Sequence, residues 1–150
     1  MSTSQQPTGF SETDIAWAAG FVDGEGCIAL VGRTQIIKGV QYKCFVLRIT
    51  VANTDLRTLM RLKEMFNGSV YPQNHKNRPQ NKPCWVWSCA AAYAEVALRM
   101  MLPYMLSKKE QAEVGILSRQ HIQPNRARRL PGALEAQEKI YSQLRLMKRA

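Results

Sequence analysis

The residues best suited to chemistry lie in one short segment near the start of the chain. Residues 20–26 read GFVDGEG, so Asp23 and Glu25 stand among three glycines directly after an apolar stretch. If a helix ends here, two positions that differ by two residues point about 200° apart, and only one carboxylate can face a metal ion. We expect Asp23 to hydrogen-bond around the helix ends and Glu25 to be the metal ligand.

One carboxylate per chain is too little for metal-assisted cleavage of a phosphodiester, which uses divalent cations to generate the nucleophile and to neutralise charge. Small residues recur every four positions on the predicted helix, and such a stripe lets two backbones approach closely. Symmetric pairing of two copies would bring two Glu25 side chains together. Alternatively, the stripe packs against the chain's own sheet. The predicted interface between copies comprises Ala16, Trp17, Gly20, Phe21 and Gly24.

Other chemistries fit the sequence less well. Residues 24–29, GEGCIA, match the dinucleotide-binding pattern G-x-G-x-x-A, but that motif needs a strand before it and a helix after it. Here the predicted order is the reverse. His75 and His121 are too few and too separated for a nuclease with a histidine-bound metal. The cysteines never form a C-x-x-C pair, and we expect reduced packing residues rather than disulfides or metal ligands at Cys27, Cys44, Cys84 and Cys89.

The elements that must position the motif are predicted to alternate between single helices and pairs of strands. Residues 34–39 are expected to join the first two strands, with Gly39 in the turn, and Pro103 is expected to end the third helix. In chain order we predict a helix over 14–23, strands over 27–33 and 40–53, a helix within 53–68, strands over 69–73 and 84–89, and helices over 91–102, 107–120 and 133–149.

Length and composition restrict the partners more than the fold. The chain has 150 residues, 45% of them hydrophobic, which suits one globular domain. Residues 1–10 are expected to form a flexible tail and 11–150 the domain, with a core over about 14–120 and a helical extension over about 121–150. A net charge of +10 indicates polyanionic partners. The absence of a signal, transit or membrane-spanning pattern predicts an intracellular protein that is not secreted and has no membrane partner.

Basic residues concentrate on the predicted strands, which contain no acidic residue. By strand alternation, Phe45, Leu47 and Ile49 face the core, whereas Arg48 and Thr50 face the other way. We expect the second face to bind nucleic acid, because Lys and Arg hold phosphates while polar side chains contact base edges. A solvated basic sheet without a partner is the alternative. Trp85 and Trp87 share one face, and we assign both to the core rather than to base stacking.

The predicted nucleic-acid contacts lie on the strands and on the connections at their ends. They are Arg33, Gln35, Lys38, Gln41, Arg48, Thr50, Tyr71, Gln73, His75, Lys76, Arg78 and Lys82. The basic linker near the C-terminal end carries Arg126, Arg128 and Arg129, for which contact with the DNA backbone and simple solvation are equally good interpretations.

The segment AAGFVDGEG, residues 18–26, resembles the motif of the LAGLIDADG homing endonucleases in its common variant form. Glu25 stands at the position of the motif's terminal catalytic acid, where the family accepts Asp or Glu. The predicted order of elements resembles that of the family over about residues 14–120. The resemblance implies an α+β fold of order α-β-β-α-β-β-α, in which two antiparallel hairpins form a DNA-binding saddle, followed by C-terminal helices. Because one motif is present, it also implies a homodimer.

The resemblance implies a site-specific endonuclease that cuts both strands of a long near-palindromic DNA site across the minor groove. The implied cofactor is Mg²⁺, with Mn²⁺ as a substitute, bound by Glu25 and the backbone carbonyl of Gly24. In PYMLSKKEQA, residues 103–112, Lys108 matches the family lysine near the scissile phosphate, with Lys109 as the alternative. Asn53 stands where the family often has a solvent-orienting Gln, so it departs from the pattern.

Other functions remain open on the same scaffold. Relatives in this family also act as intron maturases, and a non-cleaving DNA- or RNA-binding protein would need the same basic sheet. Lys108 could be an ordinary solvated lysine at a helix start. The resemblance implies an intron-encoded protein that works in the compartment holding its gene, which is bacterial or phage-infected cytoplasm or an organelle. No small-molecule substrate is expected.

Overall fold

We describe a computed structural model of the protein, over residues 9–73, 82–121 and 133–149. The predicted order of elements is confirmed, and two short 3₁₀ turns, at 102–104 and 119–121, follow the third and fourth helices. The elements are α1 (Glu12–Glu25), β1 (Gly26–Ile37), β2 (Val40–Asn53), α2 (Leu56–Phe66), β3 (Ser69–Pro72), β4 (Trp85–Ala90), α3 (Ala91–Met101), α4 (Lys109–Ser118) and α5 (Ala133–Arg149).

Helix α1 begins with a capping box and ends where the sheet begins. The Ser11 hydroxyl accepts a hydrogen bond from the Asp14 amide at 3.2 Å, and the Asp14 carboxylate accepts one from the Ser11 amide at 3.0 Å. Gly26 then enters β1 with extended backbone. A Cβ on Gly26 would stand 2.7 Å from the Val22 carbonyl oxygen, so glycine allows the strand to start at the helix end. This junction fixes Glu25 between helix and sheet.

The four strands form one antiparallel sheet in the order β1-β2-β4-β3. The prediction of a loop over 34–39 was wrong, since β1 continues to Ile37 and pairs with β2 along its whole length. Only Lys38 and Gly39 form the turn, with φ angles of 50° and 79°. Positive φ at both central residues is typical of the tight turns that match the twist of a hairpin. Gly39 therefore lies in the turn as predicted, and the hairpin is longer.

Helices cover one side of the sheet, and the predicted faces of β2 are confirmed. Phe45, Leu47, Ile49 and Val51 are buried in the core. Trp87 is fully buried beside them, and Trp85 packs against the core, as predicted. The opposite side, called the outer face below, carries Arg48 and Thr50 of β2 with their strand partners on β1 and β4.

The end of α2 is closed against β4. The Trp87 indole nitrogen donates a hydrogen bond to the Asn67 carbonyl at 2.8 Å, and the Cys89 thiol donates one to the Phe66 carbonyl at 3.6 Å. Gly68 has a φ of +93°, and a Cβ there would collide with the Ser88 carbonyl oxygen. Glycine is therefore required at this position by both backbone conformation and space.

All four cysteines are free thiols, but the prediction that all of them pack in the interior was wrong for Cys27, which is exposed; Cys44 and Cys84 are half-buried and Cys89 is buried. Burial raises the pKa of Cys89 to about 12, so this thiol stays protonated and packs as an apolar group. No helix among the described residues has the length and apolar character to cross a membrane.

Helix α5 packs along the core side of the first hairpin. Gln137, Ile140 and Leu144 are buried. The Tyr141 ring lies 5.1 Å from the Phe45 ring, centroid to centroid. These contacts fix the position of the helix on the sheet.

Candidate functional site

Asp23 holds the turn that leads into α4. Its carboxylate accepts hydrogen bonds from the backbone amides of Leu106, Ser107 and Lys108, at 3.3, 3.0 and 2.7 Å. Partial burial pushes the pKa of Asp23 upward, but these hydrogen bonds outweigh burial, and the pKa lies below its ordinary value. The prediction that Asp23 hydrogen-bonds around helix ends is therefore confirmed, and the carboxylate ties the motif to the segment with the predicted lysine.

Lys108 lies directly against the end of the motif helix. It is the half-buried N-cap residue of α4, and its ammonium donates a hydrogen bond to the Asp23 carbonyl oxygen at 2.6 Å. The last carbonyl groups of a helix lack partners within the helix and form the negative end of its dipole, which favours a cation. Lys109, the alternative, is exposed in the first turn of α4. The geometry therefore brings Lys108 rather than Lys109 to the motif.

Glu25 is the last residue of α1, and its side chain is exposed. Gly24 is exposed too, and a Cβ there would meet no atom within 4 Å. Asn53 ends β2 close to this junction, because Gly26 pairs with Val51. The Asn53 amide oxygen accepts a hydrogen bond from the Asp55 amide at 2.7 Å, which leaves the side-chain nitrogen as a donor. Lys108 thus contacts the helix end that carries Gly24 and Glu25, and Asn53 ends the strand that pairs with the start of β1.

The outer face holds a subset of the predicted nucleic-acid contacts. Strand register places Arg33, Arg48 and Thr50 on it, together with Tyr71 on β3. The same register puts Gln41 opposite Ile36, on the other side of the hairpin from Arg48. Lys38 is exposed at the hairpin turn, and Gln73 and Lys82 are exposed beside the second hairpin. The side chain of Gln35, and all of His75, Lys76 and Arg78, lie outside the described residues.

Arg48 occupies the middle of this face. Its strand partners are Ala29 on β1 and Ala90 on β4, so small side chains stand on both sides of it. The Nε atom of Arg48 is buried without a hydrogen-bond partner among the described residues. A buried unpaired donor costs about 1–3 kcal/mol, which an acceptor in a bound ligand can recover if the side chain extends toward it.

Acidic residues are confined to the helices and their caps. The chain has 11 Asp and Glu residues, and all of them lie in the described parts of the chain. None is on a strand. Negative charge therefore does not interrupt the outer face, and the segregation predicted from the sequence holds in three dimensions.

The small-residue stripe of α1 faces away from the core. Ile15, Ala18, Ala19 and Val22 form the buried side of this helix. On the other side, Gly20 and Gly24 are exposed with open space around them. Trp17 is 43% exposed and stacks on Phe21 with ring centroids 5.8 Å apart. The alternative in which the stripe packs against the chain's own sheet is therefore wrong.

Sequence reasoning located the motif but missed what holds it. The three bonds to Asp23 span 83–85 positions, and no local pattern predicts such a contact. It also missed Tyr104, whose hydroxyl donates to the Glu12 carboxylate at 2.8 Å and ties the 3₁₀ turn to the start of α1. One sequence signal for the contact between α1 and α4 was available. Lys108 stands at the positive end of α4, where a lysine is unfavourable unless another contact compensates.

The chain has the fold of the LAGLIDADG homing endonucleases. It is similar to the homing endonuclease I-CvuI in complex with its target, with a TM-score of 0.72 and 21% identity over 91% of this chain and 82% of that chain. The archaeal intron-encoded homing endonuclease I-Vdi141I complexed with DNA aligns at 0.70 with 13% identity, over 91% and 84%. The I-SmaMI LAGLIDADG homing endonuclease bound to cleaved DNA aligns at 0.64 with 15% identity, over 85% of this chain and 42% of that chain. No family model and no curated protein sequence matches the chain.

Proposed function

We propose that this chain is a LAGLIDADG homing endonuclease that hydrolyses both strands of a specific near-palindromic DNA site, as a homodimer and with divalent metal ions. One observation carries the proposal. The exposed Glu25 carboxylate ends α1 at its junction with the sheet, two residues after the carbonyl that binds Lys108 and at the edge of an outer face whose strands carry no acidic residue.

The open stripe on α1 supports the homodimer. Gly20 and Gly24 offer a surface on which a second helix can lie close, and the stacked Trp17 and Phe21 flank it with apolar area. A twofold axis along this stripe places two Glu25 residues near each other and joins two outer faces into one DNA-binding surface. Two copies of this chain would also match a chain of the length of I-SmaMI, of which one copy covers 42%.

The residues at the end of α1 fit a divalent metal ion such as Mg²⁺. The Glu25 carboxylate and the Gly24 carbonyl are oxygen ligands, which Mg²⁺ and Mn²⁺ prefer, and the space at Gly24 is open. Among the described residues, no three His, Cys, Asp or Glu side chains converge on one point. A second copy and the phosphates of the substrate would therefore have to supply the remaining charge.

Each residue of the junction has a separate task in this reaction. When bound, a divalent ion activates the attacking water and neutralises charge on the reacting oxygens. Lys108 places a positive charge beside the phosphate and offsets the charge that develops there. Asn53, whose amide oxygen is already used by Asp55, would orient solvent through its amide nitrogen. Asp23 stays outside the chemistry and positions Lys108.

Selection from a randomised DNA library tests this function. The protein is incubated with the library and Mg²⁺, and cut molecules are sequenced. We expect cuts at one near-palindromic sequence, and Glu25→Gln should bind the selected duplex while cutting it at least about a thousandfold more slowly. Glu135→Gln on α5 is the matched control and should cut normally. Undiminished cutting by Glu25→Gln would show that this carboxylate is not the ligand.

A second outcome separates the enzyme from the non-cleaving functions on the same scaffold. If no DNA is cut by the parent protein while a structured RNA is bound tightly, the result favours the maturase function. If one duplex is selected by binding but stays intact in Mg²⁺ and Mn²⁺, the protein is a DNA-binding regulator.

A further inference from the structure

The C-terminal end of α5 meets the sheet beside the motif. The ammonium of Lys148 lies 3.2 Å from the Cys27 sulfur, although 121 positions separate the two residues. Cys27 is the second residue of β1 and follows Glu25 by two positions. A residue from the far end of the chain is therefore placed next to the candidate site.

Core packing determines where this end of the helix lies. Ile140 and Leu144 are buried, and Tyr141 packs on Phe45 of β2. The Glu138 carboxylate lies 3.7 Å from the Lys43 ammonium, further back along the same strand. From these anchors α5 runs toward the start of β1, so Lys148 is held there by the fold rather than by its own side-chain contact.

Lys148 adds an uncompensated cation to the margin of the outer face. Cys27 pairs with Thr50, which places it on the same side of the sheet as Arg48. A thiol is a weak acceptor and leaves most of the ammonium's donors open. Within the described residues no carboxylate lies within 4.0 Å of Lys148, whereas Lys43 and Arg61 both have acidic partners.

We infer that Lys148 binds a DNA backbone phosphate beside the bond that is cut, which makes α5 part of the DNA interface. The inference rests on the proposed function. An ammonium is a compact point charge suited to a phosphate rather than to reading a base edge. Two residues of chain, the Cys27 side chain and the 3.2 Å contact put the ammonium at most about 13 Å from the Glu25 backbone. At about 3.4 Å per nucleotide, a phosphate bound there lies within about four nucleotides of the Glu25 position.

A simpler role must be separated from this one. A lysine in the last turn also stabilises its own helix through the dipole, and that effect would appear in folding but not in DNA binding. Lys139 is a matched control because it is exposed on the same helix, nine positions earlier and about 180° away.

The experiment measures affinity for the duplex selected from the library, without divalent metal, between 50 and 200 mM salt. Each phosphate contact costs about 3.5-fold in affinity over this fourfold change. With one contact per subunit, raising the salt over this range should lower the affinity of the Lys148→Ala dimer by a factor about 12-fold smaller than for the parent. Lys139→Ala should keep the parental salt dependence. If Lys148→Ala folds poorly, Lys148→Met replaces it, because methionine retains the apolar stem. Lys148→Met should show the same reduced salt dependence.

Neutral methylphosphonate groups then locate the phosphate. One substitution within about four nucleotides of the cut should weaken DNA binding by the parent and leave DNA binding by Lys148→Met unaffected. Equal salt slopes for Lys148→Met and the parent would overturn the inference while leaving the nuclease intact. A parent that binds no DNA, or binds it without salt dependence, would overturn the proposed function and this inference together.

Discussion

Helices α1 and α2 both have glycines at or near their C-terminal ends, and the two ends are built in opposite ways. At the end of α2, Gly68 sits in a left-handed conformation against the Ser88 carbonyl, and Trp87 closes the corner. Near the end of α1, Gly20 and Gly24 have ordinary helical backbone, and a Cβ added to either would meet no atom within 4 Å. Gly68 after α2 is required by the fold of the chain itself, whereas Gly20 and Gly24 of α1 leave space for something outside it. The end of α2 is called the closed end below, and the end of α1 the open end.

The two helix ends also differ in whether their polar groups have hydrogen-bond partners within the chain. Polar groups near the end of α2 are satisfied within the chain, by Trp87 and Cys89. At the end of α1, Asp23 is fully engaged, but Glu25 remains exposed two positions later. A site that must accept a ligand keeps one carboxylate free and uses the other to hold its frame.

The strongest test of the closed end is Gly68→Ala. Strain at a φ of +93° and overlap with Ser88 should together lower the free energy of unfolding by about 3 kcal/mol. Urea denaturation measures the loss. Gly24→Ala is the matched control at the open end, where the added methyl has free space and alanine is favoured in the helix, so stability should stay the same or rise by up to about 1 kcal/mol. Equal losses for both variants would contradict the distinction between the two ends.

Asp23→Asn tests whether the frame of the open end depends on charge. Replacing the carboxylate weakens hydrogen bonds to three backbone amides and should cost about 1–2 kcal/mol near neutral pH. The folded pKa of Asp23 is below its unfolded value, so this stabilisation is present above about pH 4 and is lost as pH falls through the lowered pKa.

Denaturation of the parent and Asp23→Asn over a range of pH checks this behaviour. The two curves should differ most near neutrality and converge in acid. A difference in stability that is independent of pH would mean that the carboxylate holds the turn through shape alone.

Gly20→Ala should affect folding and association in opposite directions. Alanine is favoured over glycine inside a helix, and the added methyl has free space, so the monomer should gain about 0.5–1 kcal/mol. If α1 forms the interface between copies, the same methyl should weaken dimerisation about tenfold. Sedimentation at several concentrations measures association, and denaturation at low concentration measures stability. A more stable protein with unchanged association would exclude the stripe as the interface.

Cysteine labelling gives the smallest and most local comparison. Cys27 follows the open end and is exposed, whereas Cys89 contacts the closed end, where burial raises its pKa to about 12. A thiol reagent near neutral pH should modify Cys27 in the folded protein and Cys89 only after unfolding. Mass spectrometry of timed digests distinguishes the two. Early labelling of Cys89 would show that the α2 corner opens readily.

Local sequence patterns predicted the elements well because their causes are local. Alternation assigned Phe45, Leu47 and Arg48 to the correct faces, and the glycine in KG marked the hairpin turn. The same approach failed over 34–39, where pairing with β2 outweighed the appearance of a loop. Contacts between distant segments could not be predicted in this way. Neither the hydrogen bonds that the turn before α4 donates to Asp23 nor the approach of Lys148 to Cys27 leaves a periodic signal.

The long first hairpin has a further consequence. Strand β4 pairs with β2 only over Arg48–Asn53, so in the part of the chain that the structure describes no further strand pairs with either edge of the hairpin from Val40 to Leu47. Bare margins are templates on which other chains can add strands, and Ile36 and Val40 near the tip are exposed and apolar. Repulsion between cations such as Arg33 and Lys38 on neighbouring molecules opposes this strand addition. The repulsion weakens in about 1 M salt, where the Debye screening length is about 3 Å. The basic side chains that suit the outer face to a polyanion thus also oppose aggregation of the protein when no polyanion is bound.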